Sequence, residues 1–358
     1  MTRAARATVD TAALRHNLGV VRRLAPGARV MAVIKANAYG HGLVGTGRAL
    51  RDADAFAVAR IEEAVALREA GLENPIVLLE GVLDAAQLPL AASLAFEIVV
   101  HSPEQLAMIE AAQLPRPIRA WLKLDTGMNR LGFPPEGARA AAGRLGSCPQ
   151  VASGVRLMTH LACADERDAR ITDAQLERFT AALGDLPGER SIANSAGLLW
   201  RRDCQADWVR PGIMLYGVSP FADSTGDELG LRPAMDLMST VIALRTVHRG
   251  ERVGYGGVWQ AREDSRIAIA AIGYGDGYTR RLGSGTPVLV RGRRAPLAGR
   301  ISMDMIAVDV TLIPQVRVGD EVTLWGAGLP VEELARQADT IPYELLCSVT
   351  QRVGVTMV

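Results

Sequence analysis

The sequence predicts an α/β chain in which a (β/α)8 TIM barrel is followed by a mostly β carboxyl-terminal domain. Three observations predict it. Up to about residue 215, short apolar runs alternate with helix-type segments. Beyond about residue 225, strand-like stretches are separated by turns rich in Gly, Pro and Asp, with little helix. Third, the residues just past the carboxyl ends of the early runs are polar and chemically varied, as they are on the one face of such a barrel where active sites are built.

The apolar runs, in order, are Val30 to Ile34, Ala55 to Ala59, Ile76 to Leu79, Glu97 to Val100, Arg119 to Leu124, Val155 to Met158, Arg190 to Ala193 and Asp207 to Val209. Helix signals lie between them. Ser102-Pro103-Glu104-Gln105 offers a capping serine, proline at the first helical position and a glutamine at the third. Glu62 to Ala70 is closed by Gly71. Eight strand-helix units in one stretch favour a closed barrel over an open doubly wound sheet. A polar, turn-rich linker, Phe221 to Asp227, places the boundary so that residues 1–226 form the barrel and 227–358 the β domain. The second domain's strands are read at Met238 to Leu244, Arg266 to Ile272, Thr286 to Val290, Ile306 to Val310 and Glu321 to Trp325, with helix near Val331 to Ala338.

Composition narrows the function. With 358 residues, 49% hydrophobic and 22% charged, and a net charge near +1, the chain has an ordinary globular make-up and no electrostatic reason to bind nucleic acid or an acidic membrane. A small-molecule ligand is expected instead. No apolar stretch is long enough to span a bilayer, and Met1 to Arg6 has no apolar signal core behind it, so a cytoplasmic protein is expected. Cys148, Cys163, Cys204 and Cys347 are scattered without metal-ligand spacing, which predicts reduced, mostly buried thiols, with no metal site and no disulfide framework.

The residues past the run ends are Lys35, Glu80, His101, Lys123 with Asp125, His160, Asn194 with Ser195, and Arg210. Lys35 and Lys123 are the only lysines among 40 basic residues. A primary amine can form an imine with an aldehyde, take up carbon dioxide as a carbamate or act as a base; a guanidinium does none of these. Lys35 leaves an apolar run within Val33-Ile34-Lys35-Ala36-Asn37-Ala38-Tyr39-Gly40-His41-Gly42, where small residues leave room for a flat ring and Tyr39 could hold a phosphate. Asn194-Ser195-Ala196-Gly197 and Arg210-Pro211-Gly212-Ile213 follow runs seven and eight, whose loops are the customary phosphate site of this barrel. A lysine on strand one beside a phosphate site on strands seven and eight fits pyridoxal 5'-phosphate.

With these motifs the chain resembles the alanine racemases, fold-type III pyridoxal-phosphate enzymes. The resemblance covers essentially the whole chain. It is carried by Val33 to Gly42, Trp121 to Gly132, Met158-Thr159-His160-Leu161, Arg210 to Gly217, Val253-Gly254-Tyr255-Gly256, Ile272 to Gly277 and Gly299 to Asp304. It implies a barrel with a carboxyl-terminal β domain and a head-to-tail homodimer that shares its active sites. Lys35 would hold the cofactor and serve as one base; Tyr255, from the other subunit, would serve as the second on the opposite face of the substrate's α-carbon. Arg210 would meet the pyridine nitrogen with His160 behind it. Tyr39, Ser195, Gly212, Ile213 and Tyr343 match the phosphate-binding set, with Asn194 beside Ser195. Arg130 matches the arginine near the substrate carboxylate, Met303 and Asp304 the partner-subunit residues near it, and Tyr274 a tyrosine on the substrate's way in. Lys123 matches a position that is carbamylated in many members as an N6-carboxylysine; a plain lysine paired with Asp125 would look identical in sequence. Ser302 departs from the cysteine of many members, and Gly354 from the family's usual ending.

The resemblance implies an isomerase interconverting L- and D-alanine, for cell-wall D-alanine biosynthesis or for D-alanine breakdown. A broad-specificity amino-acid racemase, a decarboxylase on the same plan and a non-catalytic pyridoxal-phosphate homeostasis protein stay open as alternatives. The last of these lacks a β domain, so Tyr255 and the residues around it count against it.

Overall fold

The computed structural model describes residues 4–358, so the first half of the amino-terminal segment read above, Met1 to Arg3, lies outside the described residues. The chain forms two compact units: one of residues 15–38 and 43–215, the other of residues 1–14, 39–42 and 216–358.

The first unit is the barrel. Its strands are Arg29–Val33, Ala55–Val58, Ile76–Leu78, Phe96–Val100, Ala120–Lys123, Arg156–Met158, Arg190–Ser191 and Trp208–Val209, paired in parallel and closed by the first against the eighth. These are the eight runs to within a residue or two at each end. Apart from the seventh, Arg190–Ser191, they are buried on both faces for most of their length, which is why they read as continuous apolar runs rather than alternating ones. The helix Pro103–Ala111 starts as expected, with the Ser102 hydroxyl accepting from the Gln105 amide at 3.3 Å. The Gln105 side chain closes no capping box; its oxygen accepts from the His101 amide and its nitrogen donates to the Glu80 and Val82 carbonyls.

At the amino-terminal end of the barrel strands lies a closed network of ions and indoles. Arg156 donates to both oxygens of Glu97, at 3.0 and 2.7 Å, and its Nε lies 2.7 Å from Glu189. Trp121 Nε1 donates to Glu97 at 2.7 Å and Trp208 Nε1 to Glu189 at 2.9 Å, while Arg29 also pairs with Glu189. The Arg156 guanidinium sits 5.2 and 5.1 Å from the rings of Trp121 and Trp208, so its faces are covered while its edges are hydrogen-bonded. This layer closes the barrel at the end away from the polar rim.

The second unit is built on a sheet of eight strands, with Arg293–Pro296, Pro287–Val290, Glu321–Trp325, Met235–Val247, Arg6–Val9 and Gly354–Met357 in that spatial order. Ser265–Ala270 and Ile306–Asp309 branch from Met235–Val247. Arg6–Val9, Arg293–Pro296 and Gly354–Met357 are strands that the sequence reading did not find. Arg6–Val9 runs antiparallel to Met235–Val247 and parallel to Gly354–Met357, so the two ends of the chain lie side by side in one sheet. The helix Val331–Gln337 supplies Glu332, whose buried carboxylate accepts from the amides of Ser219 and Gly226, both at 2.9 Å, and so pins the linker at its two ends. Burial pushes the Glu332 carboxyl up, against these two amides.

Cys148 and Cys204 are buried, Cys163 is half-buried and Cys347 is exposed; all four are free thiols, so the burial expected of them holds for two. Among the described residues no helix is long and apolar enough to cross a membrane.

Candidate active site

Lys35 stands at the carboxyl end of the first barrel strand and opens an uncommon backbone turn. Ala36, Asn37 and Ala38 have φ/ψ of 53/54°, 53/42° and 54/51°, and Tyr39 has a φ of 52°. Four consecutive non-glycine residues therefore wind left-handed, at a cost of roughly 1–2 kcal/mol each for L-residues. Such a turn persists only where neighbouring bonds over-determine it. Here the Ala38 amide donates to Ile34 at 2.9 Å, and the Asn37 side chain accepts from the Leu43 amide at 2.9 Å. The turn fixes the path of the chain directly after Lys35.

Lys123, at the end of strand five, is buried. Burial, then the charges of Arg210, Arg130 and Lys35, pull its amine down to about 8, with Asp125 opposing. Asp125 is engaged elsewhere. Its carboxylate accepts from the amides of Gly127 and Asn129 at 2.9 and 3.0 Å, organising the turn that carries Arg130. Burial raises the Asp125 carboxyl, but the amides of Gly127, Asn129, Met128 and Arg130 outweigh it and hold it below the ordinary value.

Arg210, past strand eight, is only 4% exposed. It donates to Ser191 Oγ at 2.6 Å, to the Thr159 carbonyl at 2.5 Å and to the Ile192 carbonyl at 3.2 Å, and lies 3.4 Å from His160 Nδ1. Every one of these partners is neutral. Burial pulls the guanidinium down to about 10, which leaves it charged at neutral pH. Burial and then Arg210, Lys123, Arg130 and Lys35 push His160 well below its ordinary value. Its imidazole is therefore neutral, and since Arg210 can only donate, Nδ1 accepts and Nε2 carries the proton.

On the next arc, Ser195 Oγ accepts from the Gly212 amide at 2.9 Å and from Met214 at 3.4 Å, and the Asn194 side chain accepts from the Gly197 amide at 2.9 Å. Ser195, Gly212 and Ile213 are buried together. Ser195 thus ties the loops after strands seven and eight into one cradle.

The second unit gathers the remaining predicted residues in two groups. Tyr39 stacks against Tyr216 at 4.7 Å and lies 5.9 Å from Tyr343 between ring centroids. Burial, then Tyr343 and Cys347, hold the Tyr39 phenol well above its ordinary value, so it stays protonated. Gly40 is required beside it: its φ is +80°, and a Cβ there would fall 2.2 Å from the Leu346 carbonyl oxygen. In the other group, Arg280 lies 5.7 Å from the Tyr255 ring and 5.9 Å from that of Tyr274. The Tyr274 and Gly275 amides donate to Ser302 and Met303, and Arg352 joins Asp304 at 2.6 Å to Asp276 at 3.2 Å. Tyr255 is 63% exposed.

Sequence reasoning missed Thr159, Ser191, Thr126 and Gln175, which hold the predicted residues rather than bearing the chemistry. The available signal was a polar side chain at an otherwise apolar position: Ser191 within strand seven, and Gln175 in the buried stripe Thr172, Gln175, Phe179 and Leu183 of the helix Arg170–Leu183.

The donor set at the barrel mouth fits an anionic, aldehyde-bearing cofactor such as pyridoxal phosphate. Four cations, Lys35, Lys123, Arg130 and Arg210, are close enough to act on His160 together, while Asp125, the carboxylate that acts on Lys123, is spent largely on backbone amides. A buried guanidinium and a buried amine left with so little counter-charge call for negative charge from a ligand.

Known proteins resemble the chain along its whole length. Residues 9–220 match the family model of the alanine racemase N-terminal domain, and residues 234–357 that of the C-terminal domain. The chain is 55% identical to the alanine racemase of Thioalkalivibrio sulfidiphilus over 360 residues, covering 100% of each. It is 49% identical to that of Shewanella sediminis over 352 residues, covering 98% of each. Its fold matches the crystal structure of biosynthetic alanine racemase from Pseudomonas aeruginosa with a TM-score of 0.96 at 50% identity, covering 100% of both chains. The structure of alanine racemase from Acinetobacter baumannii matches with a TM-score of 0.94 at 39% identity, again covering 100% of both. From its two domains to the ends of its chain, this protein belongs to the alanine racemase family and is an isomerase of that family.

Proposed function

We propose that this enzyme interconverts L- and D-alanine with pyridoxal 5'-phosphate, by two bases, as a homodimer whose active sites each draw on both chains. The observation that carries the cofactor reading is the uncompensated positive charge around Arg210 and Lys123. Pyridoxal phosphate, when bound, draws electron density from the substrate's α-carbon and makes its C–H bond acidic. Lys35 would hold it through its amine, Ser195, Gly212, Ile213, Tyr39 and Tyr343 would serve its phosphate beside Asn194, and Arg210, braced by His160, would meet its ring nitrogen. A permanently charged guanidinium disfavours a proton on that nitrogen, which should restrain side reactions such as transamination.

Two bases are needed because one must take the α-proton from one face while the other gives a proton to the opposite face. The Lys35 amine takes one role and the phenol of Tyr255 from a second copy of the chain the other; in the reverse reaction they exchange. Arg130 suits the substrate carboxylate by its fork, with Met303, Asp304 and Tyr274 of the second copy at the approach. Support for a second copy lies in the exposure of Tyr255, Val258, Tyr274, Met303 and Met305, large apolar side chains that one unit leaves to water. The product D-alanine would serve cell-wall synthesis or enter degradation.

The test is to incubate the protein and pyridoxal phosphate with L-alanine, and in parallel L-serine, L-lysine and L-arginine, and to resolve the products by chiral chromatography. D-alanine should dominate. A larger yield of another D-amino acid would move the assignment to a different racemase, and no D-product would reject racemisation.

Lys123 is proposed to be carbamylated, since an amine pulled down to about 8 keeps a minor but substantial neutral fraction near physiological pH, where an ordinary lysine has almost none, and only the neutral amine captures carbon dioxide. The new anion would neutralise a cation and face Arg130 in its place. At fixed dissolved carbon dioxide, carbamate content should rise with pH through about 8, where a lysine with its ordinary value of 10.5 would respond only at higher pH. Carbon-13 NMR after labelling with carbon dioxide measures it. A wild-type spectrum with no carbamate signal beyond that of a Lys123→Met variant would refute the modification.

A further inference from the structure

On the racemase reading above, we infer that Gln175 is a positioning residue that locks the loop bearing Arg130 to the loop bearing His160. Its side chain, 1% exposed on the helix Arg170–Leu183, uses both ends of its amide. The nitrogen donates to the His160 carbonyl at 3.0 Å and to Thr126 Oγ1 at 3.3 Å, and the oxygen accepts from the Ala162 amide at 2.8 Å.

Thr126 and Thr159 complete the lock. Their hydroxyls meet at 2.9 Å, and Thr159 Oγ1 donates to the Leu124 carbonyl at 3.0 Å. The Thr159 carbonyl in turn accepts from Arg210 at 2.5 Å, so the same short segment anchors Arg210 on one side and Gln175 on the other. About one helical turn further on, Arg178 donates to the Thr126 carbonyl at 3.1 Å. The turn from Asp125 to Arg130 is thus organised from within by Asp125 and held from outside by Gln175 and Arg178.

No bond in this lock is made to a group that changes in the reaction. It acts through placement: Gln175 fixes the backbone of residues 160–162, on which the orientation of His160 toward Arg210 depends, and the base of the turn from which Arg130 projects. A glutamine is suited to this because its planar amide donates and accepts at one end, on a stem long enough to reach both loops from the helix. Methionine of similar volume would fill the space and make none of the bonds, and glutamate could accept from Ala162 but donate to neither partner.

Both Gln175→Met and Gln175→Glu are therefore expected to lower kcat/KM roughly 10- to 100-fold in both directions of alanine racemisation, the scale of loss that accompanies small displacement of a positioned group. Hydrogen exchange of the holoenzyme and of the cofactor-free protein, followed by mass spectrometry, should speed up in the peptides covering residues 125–131 and 159–163 and not in the barrel strands. If Gln175 only fills space, Gln175→Met will exchange and turn over as the wild type does, and the inference falls. It falls equally if the variants lower the unfolding temperature while kcat/KM and the exchange of those two loops at 25 °C are unchanged. A wild-type protein that racemises nothing would reject the functional reading instead, and the exchange of the two loops would still decide whether Gln175 locks them.

Discussion

Lys35→Ala is expected to lower alanine racemisation by on the order of 10⁴-fold, since it removes a positioned base and the amine that holds the cofactor in one change. Tyr255→Phe should cost roughly 10²- to 10⁴-fold, by deleting a single hydroxyl while keeping the ring beside Arg280. The stronger result is expected when the two variants are co-expressed. If each active site takes Lys35 from one chain and Tyr255 from the other, a mixed dimer contains one site with both bases and one with neither. Random assembly would then restore about a quarter of wild-type activity from two inactive parents. Activity that stays at the level of the parents, in a preparation shown to contain mixed dimers, would mean that both bases act within one chain. An arginine at position 35 supplies charge but no nucleophilic amine, so Lys35→Arg should fail as completely as Lys35→Ala.

The second large effect is expected far from that rim. Arg156→Met leaves Glu97 and Glu189 facing each other without the cation between them, and Glu97 has little access to water. Removing one partner of a buried ion network typically costs about 3–5 kcal/mol, because the remaining charge keeps its desolvation penalty and loses its compensation. For a unit of this size that corresponds to a fall on the order of 10 °C in its thermal midpoint, readable by calorimetry. A shift below about 2 °C would show that the two carboxylates find other partners, Arg29 and Arg119 being the nearest. Arg156→Lys should recover part of the loss. It restores the charge but neither the forked hydrogen bonds nor the planar face between the two indoles.

The barrel was legible in the sequence because most of its strands are buried on both faces and so leave a continuous apolar run with a polar residue after it. Even Asp207 to Val209 shows this, although its strand is only Trp208–Val209. The rim was legible for the same reason, and because two lysines stand out among so many arginines. What escaped detection depends on partners distant in the chain. Arg6–Val9 is four residues with no local pattern to mark it, and it becomes a strand by pairing with residues more than two hundred positions away. The left-handed turn after Lys35 contains no glycine until Gly40, so propensity would have read helix there. Glu97, Arg156 and Glu189 look like ordinary surface charges at strand starts until the barrel closes and brings them together.

The pairing of Arg6–Val9 with Gly354–Met357 also bears on the order in which the molecule can be made. All eight barrel strands lie between residues 29 and 209, so every barrel partner has been synthesised while residues 210–358 are still to come. Arg6–Val9 cannot follow that schedule: one neighbour, Met235–Val247, is made only after the barrel, and the other is the last strand of the chain. One edge of Arg6–Val9 therefore waits unpaired until Gly354–Met357 is made, the kind of edge that recruits wrong partners. The strand is only four residues long and opens on the charged Arg6, which limits that hazard. Fusing the two chain ends through a short linker and opening the circle elsewhere would let the two strands leave the ribosome together.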